Sequence, residues 1–466
     1  MYNMSASTSS GHPQRWLILG VICLAQLTVL LDNTVLNVAI PSLTRELHAA
    51  TSDIQWMINA YSLVQSGLLL TAGSAADRYG RKKMLVAGLA LFGTGSLVAG
   101  LAGSTGQLIA ARAGMGIGGA LLMTTTLAVA MQIFTPEEQP KSIAIWSAVN
   151  ALGFAGGPLI GGFVLNHFWW GAIFLINIPV AVLGTVAVVA LVPESKNPRG
   201  DRPDLLGALL STLGMASLVY AIISGPVHGW TSPRVLALAA VAVVVLSLFA
   251  WWEGRVAEPM LDLHFFRDRR STGSVAGVVL LMFGMGGALF LLTQHLQSVL
   301  GYGPLEAGLR TAPLALTVVL LNFTGLSAKC SGRLGAPASI ALGMVLMSAG
   351  LVAIAEVDSG GYAGTLLGLL LIGAGCAVAN PAMAHAIMSA IPPERAGVGA
   401  GLNGTLAEFG NGLGVAVLGA VLSSSVASGR SLSAGLGAGQ LVGAVAVLLG
   451  GLLAAVLLRR AERVAA

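Results

Sequence analysis

The sequence predicts an all-α integral membrane protein with fourteen transmembrane helices. Two observations carry this. Of the 466 residues, 55% are hydrophobic and only 9% are charged, and the mean hydropathy is +0.84. A water-soluble domain carries about 25% charged residues, so most of this surface is expected to meet lipid. The apolar residues are also gathered into long continuous runs, and a helix of about 20 apolar residues crosses the hydrocarbon core. A spanning backbone must satisfy its own hydrogen bonds, which helices do within one segment; runs that do not alternate exclude a β-barrel.

The runs lie near 16–40, 54–75, 84–103, 106–131, 142–165, 172–192, 205–224, 233–252, 272–297, 306–327, 337–355, 363–388, 397–422 and 438–458. The last two are separated by a Ser/Gly-rich stretch, 423–439. The first run follows a polar segment and Arg15, and it is longer than the roughly 7–15 residues of a secretory signal, so it is expected to be a retained span. An even number of spans places both termini on one side. Lys and Arg concentrate on the cytoplasmic side of membrane proteins. Arg15, Arg78, Arg81, Lys82, Lys83, Lys141, Lys196, Arg199, Arg202, Arg255, Arg267, Arg269, Arg270, Lys329, Arg333, Arg395, Arg459, Arg460 and Arg463 fall between or beside runs on the side of the N-terminus, against Arg45, Arg234, Arg310 and Arg430 on the other. The expected location is therefore the cytoplasmic membrane with both termini inside. The net charge of +5 then reads as a topology signal, and no nucleic-acid partner is implied because the cations do not gather on one soluble face. Cys23, Cys330 and Cys376 have neither disulfide-framework nor metal-ligand spacing, so no metal site is expected. The 62 glycines suit membrane helices, where small residues allow close approach.

Three charges stand out away from the ends of their runs: Asp32, Arg112 and Glu408. A charge at the bilayer centre costs at least ~2.5–3.5 kcal/mol, so one that persists is a functional candidate. Asp32 lies eight residues before the outer end of the first run and Arg112 six residues after the outer start of the fourth. At helical rise these are depths of roughly 12 and 9 Å. Asp32 is expected to be protonatable, with Arg112 tuning it: a cation lowers a carboxyl pKa and burial raises it. A static ion pair that holds the bundle is the alternative. Glu408, with Asn403 and Asn411 on nearby turns and Gly404 leaving room, is expected to bind a cation or carry a second proton, or else to make a helix contact. Asn37, Tyr61, Gln65 and His295 are further candidate substrate contacts; the set Gln55, Tyr61 and Gln65 is as easily packing as binding, and a lone membrane histidine such as His295 or His385 is more often an ordinary hydrogen-bonding residue than a proton carrier.

Several motifs accompany these charges. Between the second and third runs stands Gly73-x-x-x-Asp77-Arg78-x-Gly80-Arg81-Lys82, a tight basic turn with one carboxylate. Arg112-x-x-x-Gly116-x-Gly118-Gly119 lies in the fourth run. The fifth carries Gly153-x-x-x-Gly157-Pro158-x-x-Gly161-Gly162, with glycines on one face and a proline that removes a backbone hydrogen bond. The first ends Leu31-Asp32-Asn33-Thr34-Val35-Leu36-Asn37-Val38-Ala39-Ile40-Pro41. Together these resemble the major facilitator superfamily, and within it the fourteen-helix drug:proton antiporters. The resemblance continues through Phe174-x-x-Asn177-x-Pro179, Gln294-His295-x-Gln297 and Pro392-x-x-Arg395. The chain departs from the family pattern at Gly171 and His295, and in the second half only Lys329-x-x-Gly332-Arg333 remains of the signature loop.

The resemblance implies two six-helix bundles, 1–192 and 271–466, with two linking helices in 193–270, and rocking around a midplane site. It implies a gating latch at Gly73, Asp77, Arg78, Gly80 and Arg81, and an antiporter motif at Gly153, Gly157, Pro158, Gly161 and Gly162. It implies export of a drug or antibiotic against protons, no cofactor beyond the proton gradient, and a monomer in the lipid bilayer. An uptake symporter of the same fold is the nearest alternative; a membrane sensor or membrane enzyme is the alternative of another class. No H-x-x-x-H, G-x-S-x-G or Walker-type loop occurs.

Overall fold

The computed structural model describes residues 13–135, 137–196, 203–261, 269–356, 362–389 and 396–465. The first group of helices is α1 (Arg15–Glu46), α2 (Thr51–Tyr79), α3 (Arg81–Gly100), α4 (Thr105–Ile133), α5 (Gln139–His167) and the broken helix α6 (Ala172–Leu175) plus α7 (Asn177–Leu191). Next come α8 (Leu205–His228) and α9 (Pro233–Glu253). The remainder is α10 (Arg269–Gln294), which ends in a π-helical turn (His295–Val299), α11 (Pro304–Phe323), the short α12 (Leu326–Leu334), α13 (Ala336–Ala355), α14 (Tyr362–Ser389), α15 (Ala396–Ala427) and α16 (Leu432–Ala465).

Among the described residues, 12 helices are long and apolar enough to cross a membrane. α2, at 29 residues, is as long but stands outside that set, and α5, also of 29 residues, carries side chains that lie outside the described residues. In α2 the reason is composition: Gln55, Asn59, Ser62, Gln65 and Ser66 are all buried within it. These polar residues face other helices, so the span pattern weakens where the interior becomes polar. Arg395, Arg199, Arg202 and Arg267 of the charge pattern lie outside the described residues.

Two apolar cores form. One gathers Ile18 to Val192 and takes a few residues, among them Phe283, Phe290 and Leu418, from the later helices. The other gathers residues from Val278 to Leu458. A small cluster of Leu63, Val219, Ile223 and Ala416 ties α8 to α2 and α15. α9 is outermost: it buries only Val235, Ala242 and Glu253 and exposes Leu236, Val241, Val243, Val244 and Leu248. Apolar side chains on such a face meet lipid tails.

Between helices in lipid there is little hydrophobic drive, so contacts rely on close fit and small residues. A Cβ on Gly118 would stand 2.7 Å from the backbone nitrogen of Phe92, and one on Gly343 would stand 2.6 Å from the carbonyl oxygen of Gly375. Both pairs of helices touch backbone to backbone. Arg15, Glu138 and the turn at Gly80 mark one end of the molecule, the basic end. The loop between α1 and α2 lies at the opposite end.

Candidate functional site

Asp32 and Arg112 meet. Arg112 Nη1 donates to Asp32 Oδ2, and both side chains are at most 1% exposed. The guanidinium has further partners: its Nε donates to the carbonyl of Met57 (3.0 Å), and its Cζ lies 4.3 Å from the Tyr61 ring centroid and 6.0 Å from that of Phe174. An arginine over aromatic faces gains a cation–π attraction when desolvated. Arg112 is thus held by α2 as well as by its carboxylate. Asn177 lies beside Asp32 and donates to Ser96 Oγ at 3.2 Å. The glycines around Arg112 make this fit possible. A Cβ on Gly116 would lie 2.7 Å from the Tyr61 carbonyl, and one on Gly119 would lie 2.7 Å from the Tyr61 hydroxyl.

Glu408 enters from α15. Asn33, one residue after Asp32, donates its amide to Glu408 Oε1 at 3.2 Å, and Ser62 of α2 lies beside the carboxylate. The same seam is polar further along. Gln55 Nε2 donates to the carbonyls of Val415 (3.1 Å) and Ala416 (2.8 Å), and a Cβ on Gly412 would come within 2.6 Å of Asn59 Oδ1. Gln65 is fully buried, lies beside the Tyr61 hydroxyl and donates to Met123 Sδ; its Oε1 and Asn37 Oδ1 are buried without a partner among the described residues. Asn403 Oδ1 is also buried without a partner among the described residues. Unpartnered buried polar atoms cost about 1–3 kcal/mol each, and here they concentrate on α1, α2 and α15.

Two other sequence candidates sit elsewhere. His295, in the π-helical turn, lines a small cleft with Leu291, Ile354 and Gln440. Asn411 packs its side chain against Gly286 of α10. Neither joins the Asp32–Arg112 centre. His385 is exposed on α14.

At the basic end, Arg81 Nη2 and Nε both donate to Asp77 Oδ1, at 2.8 and 2.9 Å, and Arg81 Nη1 reaches the carbonyl of Ala128 on α4 at 3.3 Å. Arg78 stands in the last turn of α2, and Gly73 faces Thr124 of α4. Gly80 is required by its backbone: φ is 118°, and a Cβ would stand 2.6 Å from Glu194 Oε1. Glu194 also accepts from the backbone nitrogen of Lys82 at 3.2 Å. The basic turn is therefore tied into α4 and the segment after α7.

On α5 the three evenly spaced glycines all face α1. Gly153 lies against Leu30, Gly157 against Thr34 and the carbonyl of Leu31, and Gly161 against Val35. Gly162 faces the other way, where a Cβ would be 2.6 Å from the Pro304 carbonyl; the Pro158 carbonyl abuts Gly308 of α11. α5 is thus clamped between α1 and α11. Nearby, Gln297 Nε2 donates to the Val38 carbonyl at 2.9 Å, joining α10's π-helical turn to α1.

Sequence reasoning missed Gln55, Asn59 and Ser62 as a set. Their spacing puts them on one helical face, and that face was the available signal. It also passed over Asn33 as the partner of Glu408.

Helices packed this way around a buried ion pair define a multi-pass membrane protein with a transporter fold. Solved peptide transporters share that fold: a POT peptide transporter in complex with sulfate superposes with a TM-score of 0.72 at 15% identity, covering 97% of this chain and 96% of the other. An auto-inhibited POT family peptide transporter gives 0.70 at 15% identity, covering 96% and 97%. The family model described as Major Facilitator Superfamily matches residues 22–415, and the chain belongs to that superfamily. It is 35% identical over 398 residues to the multidrug resistance protein Stp of Mycobacterium tuberculosis, covering 85% of this chain and 74% of the relative. It is 34% identical to the tetracenomycin C resistance and export protein of Streptomyces glaucescens (90% and 78% covered). Identity to the multidrug efflux pump LfrA of Mycolicibacterium smegmatis is 33% (96% and 88% covered).

Proposed function

We propose that this chain is a proton-coupled antiporter that exports drug-like small molecules or an antibiotic across the cytoplasmic membrane by alternating access. The relatives named for multidrug resistance and antibiotic export support the drug-efflux reading. The single observation that supports proton coupling is the buried Asp32–Arg112 pair beside a polar seam that ends at Glu408. This reading takes α2 and α5 as spans too, giving fourteen, with both termini cytoplasmic. The bundles 1–192 and 271–466 rock about the seam, with 193–270 as the linking pair, in a monomer that needs no cofactor beyond the proton gradient.

The chemistry follows from the side chains. With Asp32 ionised, Arg112 is neutralised and the seam carries little net charge. When a proton reaches Asp32, the carboxyl no longer holds the guanidinium. Arg112 keeps its seat on the Met57 carbonyl and the Tyr61 ring, so its charge stays while its counter-ion is gone. That unbalanced cation repels a cationic substrate and favours release. Deprotonation on the other side restores the pair and the affinity. Glu408, on the facing helix, holds a cationic substrate or a second proton, with Asn37, Tyr61, Gln65 and Asn403 as further contacts. Gly73, Asp77, Arg78, Gly80 and Arg81 act as the latch, and the α5 glycines with Pro158 seal the opposite end.

The test is drug uptake into everted vesicles under an imposed pH gradient, with cationic and neutral compounds. The wild type should accumulate drug when the gradient is present, and Asp32→Asn should not, although it still inserts. Undiminished gradient-driven transport by Asp32→Asn removes Asp32 from the mechanism. Glu408→Gln should reduce transport of cations more than of neutral drugs; equal effects on both leave Glu408 a structural contact.

A further inference from the structure

Away from that seam, a second pair of acids is buried where α8 and α9 meet at the basic end. Asp204 is the residue before α8 and is 9% exposed; Glu253 ends α9 and is 3% exposed. The surroundings of Asp204 are well defined. Its Oδ1 accepts from the Gly207 backbone at 2.8 Å, capping α8, and its two oxygens accept from Trp252 Nε1 at 3.1 and 3.0 Å. One oxygen of Glu253, Oε2, accepts from the Leu261 backbone at 3.0 Å. The other, Oε1, is buried with no donor pointing to it among the described residues.

That lone oxygen faces Asp204. Both carboxyls close over Gly207: a Cβ there would stand 2.6 Å from Glu253 Oε1 and would collide with Asp204 Oδ2. Two carboxyl oxygens therefore share the space that a side chain at 207 would fill. Among the described residues, the donors around them, the Gly207, Met260 and Leu261 backbones and the Trp252 indole, are all neutral. Arg255, two residues on, stacks instead on the Trp251 ring with its Cζ 4.4 Å from the centroid. On α2 the facing group is Thr71, also neutral, whose hydroxyl donates to the Asp204 carbonyl at 3.3 Å and approaches Met260 Sδ at 3.5 Å. α2 also carries Asp77 and Arg78, six and seven residues beyond Thr71 and so roughly 9 Å further along the helix. The one charged group on α15, which also packs on α8, is Glu408 at the seam; Arg234 is at the far end of α9.

Two like charges this close cannot both be ionised without a large penalty, and a buried carboxylate oxygen without a donor adds to it. A single proton between the oxygens removes both problems: it turns one acid into the missing donor and leaves one charge spread over the pair. We propose that Asp204 and Glu253 share one proton, forming a proton-binding site separate from the Asp32–Arg112 centre. The pair fixes α8 to α9, and through Thr71 it fixes both to α2, within two turns of Asp77. Its loading state sets how firmly the linking helices dock beside the basic turn.

The sign follows from linkage. A site that binds its proton more tightly folded than unfolded adds stability at low pH, and that stability is lost as pH rises through its titration.

The experiment is infrared spectroscopy of the full chain in liposomes, in an Asp32→Asn/Glu408→Gln background so that the seam acids do not contribute. At neutral pH the background protein should show a carboxylic-acid carbonyl band that shifts in heavy water and vanishes in both Glu253→Gln and Asp204→Asn. Identical acid bands with and without Glu253 mean that both groups are ionised, and the proposal fails. Because Asp204→Asn also alters a helix cap, melting temperature gives the second readout. Glu253→Gln can donate its amide to Asp204, so it should fold and should flatten the fall in melting temperature between mildly acidic and mildly alkaline pH. An unchanged slope overturns the shared proton. So does a melting temperature that rises with added calcium or sodium at alkaline pH in the background protein but not in Glu253→Gln, because a metal cation then occupies the site.

Discussion

The two halves of the molecule bury different things. The core around α1, α2 and α4 holds Gln26, Asp32, Gln55, Asn59, Tyr61, Gln65 and Arg112. The core of α13, α14 and α16 holds chiefly Leu, Ile, Met and Ala, with Met344, Met347, Leu351, Leu369 and Ile372 fully enclosed. The polar half carries its own counter-charge, whereas the apolar half contributes Glu408 across the seam, where α1 and α2 solvate it. The machinery is thus lopsided: one half holds the ion pair, and the other supplies a fitted wall and one acid.

The contrast can be broken most severely at Arg112. Arg112→Met leaves Asp32 buried without its cation, and breaking a buried pair from one side costs about 3–5 kcal/mol. Thermal unfolding in detergent should show that loss, and adding Asp32→Asn should recover a good part of it. A double variant no better than the single would mean that the two residues do not act as a pair. In the apolar half, Leu369→Ala should cost about 2 kcal/mol or more through the cavity it leaves, while gradient-driven transport per folded molecule stays near wild type. Loss of coupling in that variant would show that the mechanism is spread over both cores.

A smaller effect is expected on α5. Gly157→Ala forces a Cβ onto Thr34 and the Leu31 carbonyl, an overpacking cost of about 1–3 kcal/mol. Gly114→Ala, where nothing among the described residues lies within 4 Å, is the control and should melt at or slightly above the wild type, since alanine favours a helix over glycine. Smallest of all is the latch. Asp77 and Arg81 are 49% and 27% exposed, and such a pair contributes about 0–1 kcal/mol. Asp77→Asn should leave the melting temperature nearly unchanged and lower the transport rate; unaltered transport would make the turn a topology signal and nothing more.

Much of the fold and part of the site are legible in the amino-acid sequence. Continuous apolar runs mark the helices because length in lipid is a strict constraint. Asp32, Arg112 and Glu408 stand out because charge inside an apolar run is costly. Their pairing is harder to read. Equal depth points Asp32 to Arg112, but nothing in the sequence points Glu408 to Asn33, since these residues are 375 positions apart and an amide in a membrane helix has many partners open to it. His295 and Asn411 illustrate the converse. Each lies at a plausible depth, yet the azimuth of a side chain around its helix depends on tertiary packing, and both turn away from the ion pair. Asp204 and Glu253 sit at helix ends, where acids are ordinary, so only their mutual contact distinguishes them.

The glycine face of α5 has a mechanical consequence. Leu, Met and Ile side chains that interdigitate across a contact act like gear teeth: one helix cannot turn on its neighbour without lifting over them. Gly153, Gly157 and Gly161 present no teeth to α1, so that contact is a plain bearing, tight in the radial direction and low in friction around the axis. A like contact joins α13 to α14, where Gly343 meets the Gly375 backbone, while Met344, Met347 and Leu351 supply teeth elsewhere in that core. In the proposed cycle, the smooth joint of α5 lies beside the ion pair that protonation of Asp32 would release.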